Sequence, residues 1–200
     1  MKTLMYLSIC LLLPSLLWAT PIEVKVKGTA GFTSEAPLEK IEGTATSSGK
    51  LQVDLEDFTA IRGEIKVPVA SMETGNSTRD DHLRGTDWLD ATKCPDVSFK
   101  VESVEVAKAV KENKKGWKVV KLKATGDFQV HCKSKKMTIP VKLKWKEKEK
   151  NGKKFTKVVS KSSFKITLAD YDVAGAKGVV GEKVGKTIDV KVKVKGKIPK

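Results

Sequence analysis

The sequence predicts an all-β protein, a single extended antiparallel β-barrel of about eight strands with one short helical turn near residues 77–89. Two observations predict it. Most of the chain alternates apolar residues with lysine, which is the pattern of strands that have one buried and one wet face. A single polar segment, Thr74–Phe99, interrupts this alternation and concentrates arginines, acids, a histidine and a tryptophan. A polar segment set among simple strands is where a functional or lid element is expected.

The first nineteen residues predict a secretory signal peptide. Lys2 gives a basic start, the apolar stretch Leu4–Leu17 follows, and Ala19 is the small residue at the expected cleavage point. The apolar stretch is shorter than the roughly 20 residues that a membrane-spanning helix needs. We therefore expect export to the periplasm or beyond the cell, with residues 20–200 forming one domain.

The strands are predicted from runs in which apolar residues recur at every second position. One of these runs, residues 40–47, is polar and weak. The hairpin signal Asn151-Gly152 separates two of the later runs. In chain order, the runs are 22–26, 40–47, 51–55, 61–69, 97–101, 120–132, 137–145, 164–168 and 188–194.

Such strands could form either a sandwich or a closed barrel, and their number alone does not decide between them. The length of the run from Trp117 to Cys132 favours a barrel, in which strands are tilted and coiled. Gly126 in the middle of this run suits the bend that such a strand needs. A barrel of about eight strands is wide enough to enclose one elongated ligand.

One segment, Ser77–Leu89, departs from the strand pattern. Thr78 and Asp81 have the spacing of a capping box, and Gly85 is expected to end the helical turn. The segments 107–115 and 175–185 are predicted to be exposed connections.

The formal net charge of +15 suggests a nucleic-acid partner, but the residue types disfavour one. The basic residues are mostly lysine, aromatic residues are sparse, and there is neither a recognition-helix pattern nor a stacking platform. Most lysines alternate with valine or leucine, so we interpret them as the solvated outer face of the strands. Weak attraction to anionic lipid at a membrane surface, or to another polyanion of the cell envelope, remains an alternative.

The polar segment TGNSTRDDHLRGTDWLDATKCPDVSF resembles the signature of the YceI-like, polyisoprenoid-binding family. Four further segments, in the same order, resemble other parts of that family and extend the resemblance to about residues 22–195. They are IRGEIKVPVASMETGN, TGDFQVHCKSKKMTIPV, KSSFKITLADYDV and VGEKVGKTIDVKVKVKG. The chain departs from the family pattern at Cys94, where an aromatic residue is common, and at Cys132, where glycine is common.

The resemblance implies a lipocalin-like barrel in the bacterial cell envelope, whose apolar lumen holds a long isoprenoid-type or similar amphiphilic lipid as its only ligand, without a further cofactor. Apolar residues on the inward faces of the predicted strands are the expected wall of this lumen. These residues are Val67, Val69, Phe99, Leu122, Phe128, Val130, Ile139, Val141, Phe164 and Ile166.

Six residues of the polar segment are expected at the mouth of the barrel. We predict that Arg79, Asp81, His82 and Arg84 form a salt-bridged plug, and that Leu83 and Trp88 either pack beneath it or contact the ligand. A metal site built on Asp80, Asp81 and His82 is disfavoured, because consecutive residues of a turn point in different directions. Catalysis is also disfavoured, since no nucleophile motif stands beside a base.

Cys94 and Cys132 are predicted to form a disulfide. The strands that begin near Asp96 and end near Cys132 are consecutive, and an antiparallel pairing brings the start of one beside the end of the other. The alternative is two unpaired, partly buried thiols. An exported protein permits the disulfide.

Three functions from different classes follow. The first is a soluble carrier or store for an isoprenoid-type lipid, and the second is an envelope protein whose lysine-rich outer face is the functional surface. The third is an enzyme acting on such a molecule, which we disfavour. The sequence gives no indication of oligomeric state, and a homodimer is one alternative.

Overall fold

Eight antiparallel strands form a closed barrel in the computed structural model, which describes residues 21–199. The predicted signal peptide lies outside the described residues. The strands are β1 (Ile22–Glu35), β2 (Lys40–Val53), β3 (Arg62–Pro68), β4 (Asp96–Glu112), β5 (Lys118–Val130), β6 (Lys133–Lys150), β7 (Lys153–Thr167) and β8 (Thr187–Pro199). Each strand pairs with its neighbour in sequence, and β1 also pairs with β8. The predicted fold class is therefore confirmed.

The barrel closes through antiparallel pairing of β1 with β8. Residues 27–34 of β1 pair with residues 188–195 of β8, and the side chains of Val24 and Val26 lie against Gly196 of β8. Gly28 lies at this seam, and a Cβ atom there would collide with the carbonyl oxygen of Lys193. β1 continues past Gly28 to Glu35, well beyond the apolar run 22–26, because the glycine allows the two backbones to approach closely.

Several strands are longer than the apolar runs that predicted them. The polar run 40–47 and the run that follows it form one strand, β2, and residues 107–112, predicted as a loop, complete β4. Backbone pairing extends these strands beyond the apolar runs, since the ladder bonds do not require apolar side chains. Three register shifts between β4 and β5 accommodate the strong coiling of this pair.

Inward and outward residues alternate as the sequence predicted, most regularly on β5. Val120, Leu122, Ala124, Phe128 and Val130 are all buried. Gly126 continues this series, and its missing side chain lets the carbonyl of Lys100 on β4 approach. The lumen is thus built mainly from aliphatic and aromatic side chains, while the lysines lie outside.

Two tight turns have residues in the left-handed backbone region. Asn151 and Gly152 (φ 52° and 71°) join β6 to β7, as their sequence predicted. His131 and Cys132 (φ 50° and 58°) join β5 to β6, so Cys132 belongs to a turn and not to the inward face of β5. Glycine is the residue that this conformation favours.

One α-helix, α1 (Ser77–Arg84), lies between β3 and β4. Short 3₁₀ turns occur at Phe58–Ala60, Val69–Ser71 and Leu168–Tyr171. The helix ends at Gly85 as predicted, but its N-cap is Asn76 instead of Thr78. The Asn76 side chain accepts a hydrogen bond from the backbone N–H of Arg79 at 3.1 Å. No helix within residues 21–199 is long and apolar enough to cross a membrane.

The disulfide predicted between Cys94 and Cys132 is present, with a Cα–Cα distance of 5.3 Å. It joins the segment that precedes β4 to the β5–β6 turn. The two strands pair in the predicted antiparallel direction, with Ser98 opposite Gln129. The two sulfur atoms therefore meet at one end of the barrel, and the disulfide ties the segment carrying α1 to the barrel wall.

Replacing both cysteines (Cys94→Ser with Cys132→Ser) should lower the free energy of unfolding by roughly 3–4 kcal/mol, because the bridge closes a long loop in the unfolded chain. Denaturant titration of the variant and of the wild type, with and without reductant, measures this effect. Reduction should make the wild type resemble the variant and leave the variant unchanged. Two free thiols in unfolded, unreduced wild-type protein would contradict the bridge.

Candidate functional site

The lumen contains two cavities, one above the other along the barrel axis. The larger, about 580 Å³, lies at the end of the barrel that α1 covers. The smaller, about 110 Å³, lies deeper. Four residues line both, namely Val67, Val97, Phe128 and Val192. These residues form the constriction that divides one elongated lumen into two chambers.

The larger cavity exists because the inward residues of β1 and β2 are small at this level. Ala30 and Ala45 pair across the two strands and line the cavity, and both are buried. Gly43 continues the same face, and the ring of Phe32 lies against its backbone. A run of inward glycine and alanine leaves space that valine or leucine would fill. Small residues at the inward positions of the run 40–47 are the sequence signal for this cavity, and we had interpreted that run only as a weak strand.

Phe128 is the aromatic centre of the constriction. Its ring meets those of Phe164 and Tyr171 edge to face, at centroid distances of 5.4 and 5.8 Å. The Tyr171 hydroxyl lies 3.6 Å from the sulfur of Met137, and burial, with a smaller effect of the Asp170 charge, raises the pKa of Tyr171. The constriction is therefore a packed aromatic cluster, and its width depends on the position of one ring.

The structure places nine of the ten predicted wall residues against the lumen. The larger cavity is lined by Val67, Phe128, Val130 and Ile166. The smaller is lined by Val67, Phe99, Leu122, Phe128, Ile139, Val141 and Phe164. Val69 is the exception and lines neither cavity. Because β3 ends at Pro68, the inward-outward alternation stops there, and Val69 is buried in a 3₁₀ turn instead.

The deep end of the lumen is closed by Phe58 and Trp145, whose ring centroids are 5.6 Å apart. Both side chains are buried. Phe58 comes from the connection between β2 and β3, where the Asp57 side chain caps a 3₁₀ turn by accepting from the N–H of Thr59 at 2.9 Å. The connection therefore acts as a floor, and the open end of the lumen is the one beneath α1.

The anchor of α1 at the mouth is Asp80, which the predicted plug did not include. Asp80 is buried and accepts hydrogen bonds from the backbone N–H and the hydroxyl of Thr74, at 2.8 and 2.6 Å. The hydrogen bond from the Thr74 hydroxyl is the largest influence that lowers the pKa of Asp80. Asp81 is exposed and pairs only loosely with Arg84, at 3.4 Å. Helical geometry decides the difference, because adjacent residues face in different directions.

The two arginines of α1 bind the backbone around the mouth. Arg79 pairs with Glu39 at 2.5 Å and donates to the Thr74 hydroxyl at 2.9 Å. Arg84 donates to the carbonyl of Met72 at 2.9 Å, while its buried Nε has no hydrogen-bond partner among the described residues. Both arginines thus stabilise the position of the helix, as the predicted plug required.

His82 does not join this network, contrary to the prediction. Its side chain is exposed at the rim of the larger cavity, and it makes no hydrogen bond or ion pair within the described part of the chain. The rim is also lined by Leu83, Trp88 and, from the other side, Lys183. Three groups able to bear positive charge, on Arg79, His82 and Lys183, therefore surround the opening of an apolar chamber.

A second covering segment, residues 174–186, was predicted as an exposed loop and instead folds over the mouth. Val179 and Val184 line the larger cavity. The Ser34 hydroxyl accepts from the N–H of Gly185 at 2.8 Å, which fixes the loop to β1. The Trp88 ring lies against Gly175, where a Cβ atom would clash with the ring. The two covering segments therefore meet across the opening.

The arrangement suits non-covalent enclosure of an apolar molecule. The residues lining the smaller cavity are aliphatic or aromatic except for three serines and one glycine. Within residues 21–199 there is no cluster of three or more His, Cys, Asp or Glu side chains that could hold a metal ion.

Comparison with known proteins places this geometry in context. The family described as YceI-like domain matches residues 23–196. Protein YceI of Shigella flexneri is 27% identical over 142 residues, which are 71% of this chain and 68% of that protein.

Solved structures share the fold at low identity. Burkholderia cenocepacia BcnA is 18% identical with a TM-score of 0.66, and the match covers 85% of this chain and 95% of that one. A polyisoprenoid binding domain from Saccharophagus degradans, implicated in plant cell wall breakdown, is 12% identical with a TM-score of 0.60 and coverages of 88% and 98%. These likenesses support the architecture described above.

Asp80 should make the stability of the protein depend on pH. Because its folded pKa lies below the ordinary value of 3.8, ionised Asp80 stabilises the fold above that value. This stabilisation should disappear as the pH falls through the folded pKa. Denaturant titrations between about pH 2 and 5 should show a smaller pH dependence for Asp80→Asn than for the wild type. Asp81→Asn is the matched control and should retain the wild-type dependence. Equal effects of the two substitutions would contradict the anchoring role of Asp80.

Proposed function

The chain belongs to the YceI-like family, and we propose that it is a binding protein that holds a long, apolar isoprenoid-type lipid in the lumen of its barrel. The observation that carries the proposal is the apolar lumen itself, which runs from the mouth beneath α1 to the floor at Phe58. The Saccharophagus degradans domain with the same architecture is a polyisoprenoid binding domain, and this likeness supports the proposed ligand class.

The lumen supplies affinity through burial alone. Each CH₂ group removed from water contributes about 0.8 kcal/mol, so a chain of several isoprene units is retained without a covalent bond. The wall residues predicted from the sequence, apart from Val69, are the proposed contacts. The Phe128 constriction makes a slender, flexible chain a better fit than a bulky fused-ring molecule, since only a chain can pass from one chamber to the other.

The polar end of the ligand is proposed to lie at the mouth. A lipid inserted with its tail toward Phe58 leaves its head group beside Arg79, His82 and Lys183. Arg79 already pairs with Glu39, whereas the other two side chains lie at the rim. This arrangement favours a head group with hydrogen-bond acceptors or negative charge. Leu83 and Trp88 complete the apolar collar beneath it.

The physiological role we propose is storage or transport in the cell envelope. The predicted signal peptide and the Cys94–Cys132 disulfide support an oxidising compartment outside the cytoplasm. Binding without chemical turnover is part of the same proposal, because the site offers enclosure and no paired acid and base. No cofactor other than the lipid is proposed.

Ile139→Lys tests the lumen by placing a charge in the wall of the smaller cavity. Because an unpaired buried charge is strongly unfavourable, we expect the variant to lose its bound lipid. The measurement is organic-solvent extraction of the purified protein followed by mass spectrometry. Thr138→Lys is the matched control, since Thr138 is the preceding residue and lies on the outer face.

The control should retain as much lipid as the wild type. Circular dichroism and thermal unfolding must show that both variants are folded. Equal lipid content in folded Ile139→Lys and in the wild type would contradict the proposed function, and so would wild-type protein that yields no lipid from its native host.

Phe128→Ala should connect the two chambers and broaden the range of bound lipids toward bulkier or longer chains. Loss of this buried ring should also lower the free energy of unfolding by about 3–5 kcal/mol. Mass spectrometry of extracted lipid gives the distribution of ligands, and denaturant titration gives the stability. An unchanged distribution in the folded variant would show that the constriction does not select the ligand.

A further inference from the structure

Charge is distributed very unevenly between the two halves of the barrel. Residues 105–199 contain 27 lysines, no arginine and nine carboxylates, whereas residues 21–104 contain ten lysines and arginines against 15 carboxylates. The first part of the chain is therefore acidic, and the second carries the whole excess of positive charge. Because the strands follow one another around the barrel, this asymmetry in sequence becomes an asymmetry in space.

Five lysines align in a single row across five adjacent strands. The register pairs Lys108 of β4 with Lys121 of β5, Lys121 with Lys142 of β6, Lys142 with Lys161 of β7, and Lys161 with Lys193 of β8. All five side chains are exposed. Neighbouring strands are about 4.8 Å apart, so this lysine row runs roughly 19 Å around the barrel wall.

Along the lysine row, each lysine lies directly opposite another lysine on the neighbouring strand. Like charges directly opposite one another destabilise a sheet, and none of these five lysines forms an ion pair with a carboxylate of residues 21–199. Lys144 lies two residues from Lys142 on β6, and burial together with the nearby charges of Lys161, Lys142, Lys193 and Lys157 lowers its pKa. A conflict of this kind is expected where a surface has a function.

Some lysines nearer the mouth on β6 and β7 are neutralised by ion pairs. Near the mouth, Lys133 pairs with Asp172 at 2.7 Å, Lys135 with Asp170 at 2.7 Å, and Lys165 with Asp189 at 3.2 Å. On β6 and β7, the ion-paired lysines therefore lie toward the mouth, and the lysines of the row lie nearer the middle of the wall. General enrichment in lysine would not produce this division, since the same strands contribute to both zones.

The chemistry of this face favours a surface of anionic lipid over nucleic acid. Lysine acts as a point charge, whereas arginine provides the bidentate geometry that recognises individual phosphates. The nearby aromatic rings are covered by lysine ammonium groups, with Lys144 lying 4.6 Å from the Trp117 ring centre and Lys197 lying 4.9 Å from that of Phe155. These rings are not free to stack on bases.

We propose that the lysine row docks the barrel side-on against a membrane that contains anionic lipids. A bilayer surface offers many negative charges at close spacing, which is the complement of an unpaired lysine row. The row lies on the outer wall, so docking leaves the lumen and the mouth unobstructed. The surface is distinct from the lipid-binding lumen and does not depend on what the lumen holds.

Vesicle sedimentation tests the proposal with two triple variants of equal charge. The row variant is Lys121→Gln, Lys142→Gln and Lys161→Gln. The control variant is Lys40→Gln, Lys50→Gln and Lys100→Gln, on β2 and β4. The vesicles are phosphatidylcholine alone, or phosphatidylcholine with about one-third phosphatidylglycerol.

Wild type should bind only the anionic vesicles, and less so as salt rises. Since each lysine near an anionic surface is worth about fivefold in affinity, the row variant should bind about a hundredfold more weakly. The control variant should stay close to wild type. Equal losses in the two variants would overturn the proposal, because total charge and not the row would then govern binding. Tighter binding to single-stranded DNA than to vesicles, at equal phosphate concentration, would also overturn it and assign the row to an anionic polymer.

Extraction of lipid from the same proteins separates this proposal from the proposed function. The row variant should retain its lumen lipid, because the three substituted side chains lie on the outer face. Protein that contains no lipid but binds anionic vesicles through the row would overturn the proposed function and support docking. Protein that retains its lipid but does not bind anionic vesicles would support the proposed function and overturn docking.

Discussion

Closure of β1 onto β8 is the constraint on which the rest of the structure depends. An open sheet of these eight strands would leave two unpaired edges and expose the apolar face that alternation creates. Closure satisfies both edges and turns that face into a lumen. Gly28 makes the seam possible, since a side chain there would collide with the backbone of β8. The lumen, its mouth and the charged outer wall all follow from this one contact.

The lumen combines stability and capacity by varying side-chain size along one barrel. At the deep end, large side chains such as Phe58 and Trp145 fill the interior and close the floor. Toward the mouth, Ala30 and Ala45 replace them and leave about 580 Å³. The filled part supplies the buried apolar area that stabilises the fold, and the unfilled part can accept a ligand without repacking the filled part.

The mouth is covered by two segments whose attachments differ in kind. The α1 segment is held by buried hydrogen bonds of Asp80, by Arg79 and Arg84, and by the Cys94–Cys132 bridge. The loop 174–186 is held mainly by backbone hydrogen bonds and by the Ser34 hydroxyl. Trp88 against Gly175 joins the two segments. The α1 segment is therefore the firmer wall of the mouth, and the loop is the better candidate for the element that yields when a ligand enters.

The sequence by itself determined the barrel, the inward faces of its strands and the cysteine pair, because alternation with period two and antiparallel order leave little freedom. It did not determine the roles of Val69, Asp80 and His82. The role of Val69 was decided by the end of β3 at Pro68, and the roles of the other two residues were decided by the rotation of α1 and by its position at the rim of the cavity. No local sequence pattern encodes these features. The volume of the cavity is likewise set by the tertiary structure. Ala30 and Ala45 are ordinary residues until the paired strands set them side by side on the inner face of the closed barrel, where their small side chains leave the cavity open. The lysine row likewise exists only once the register of five strands brings distant lysines together.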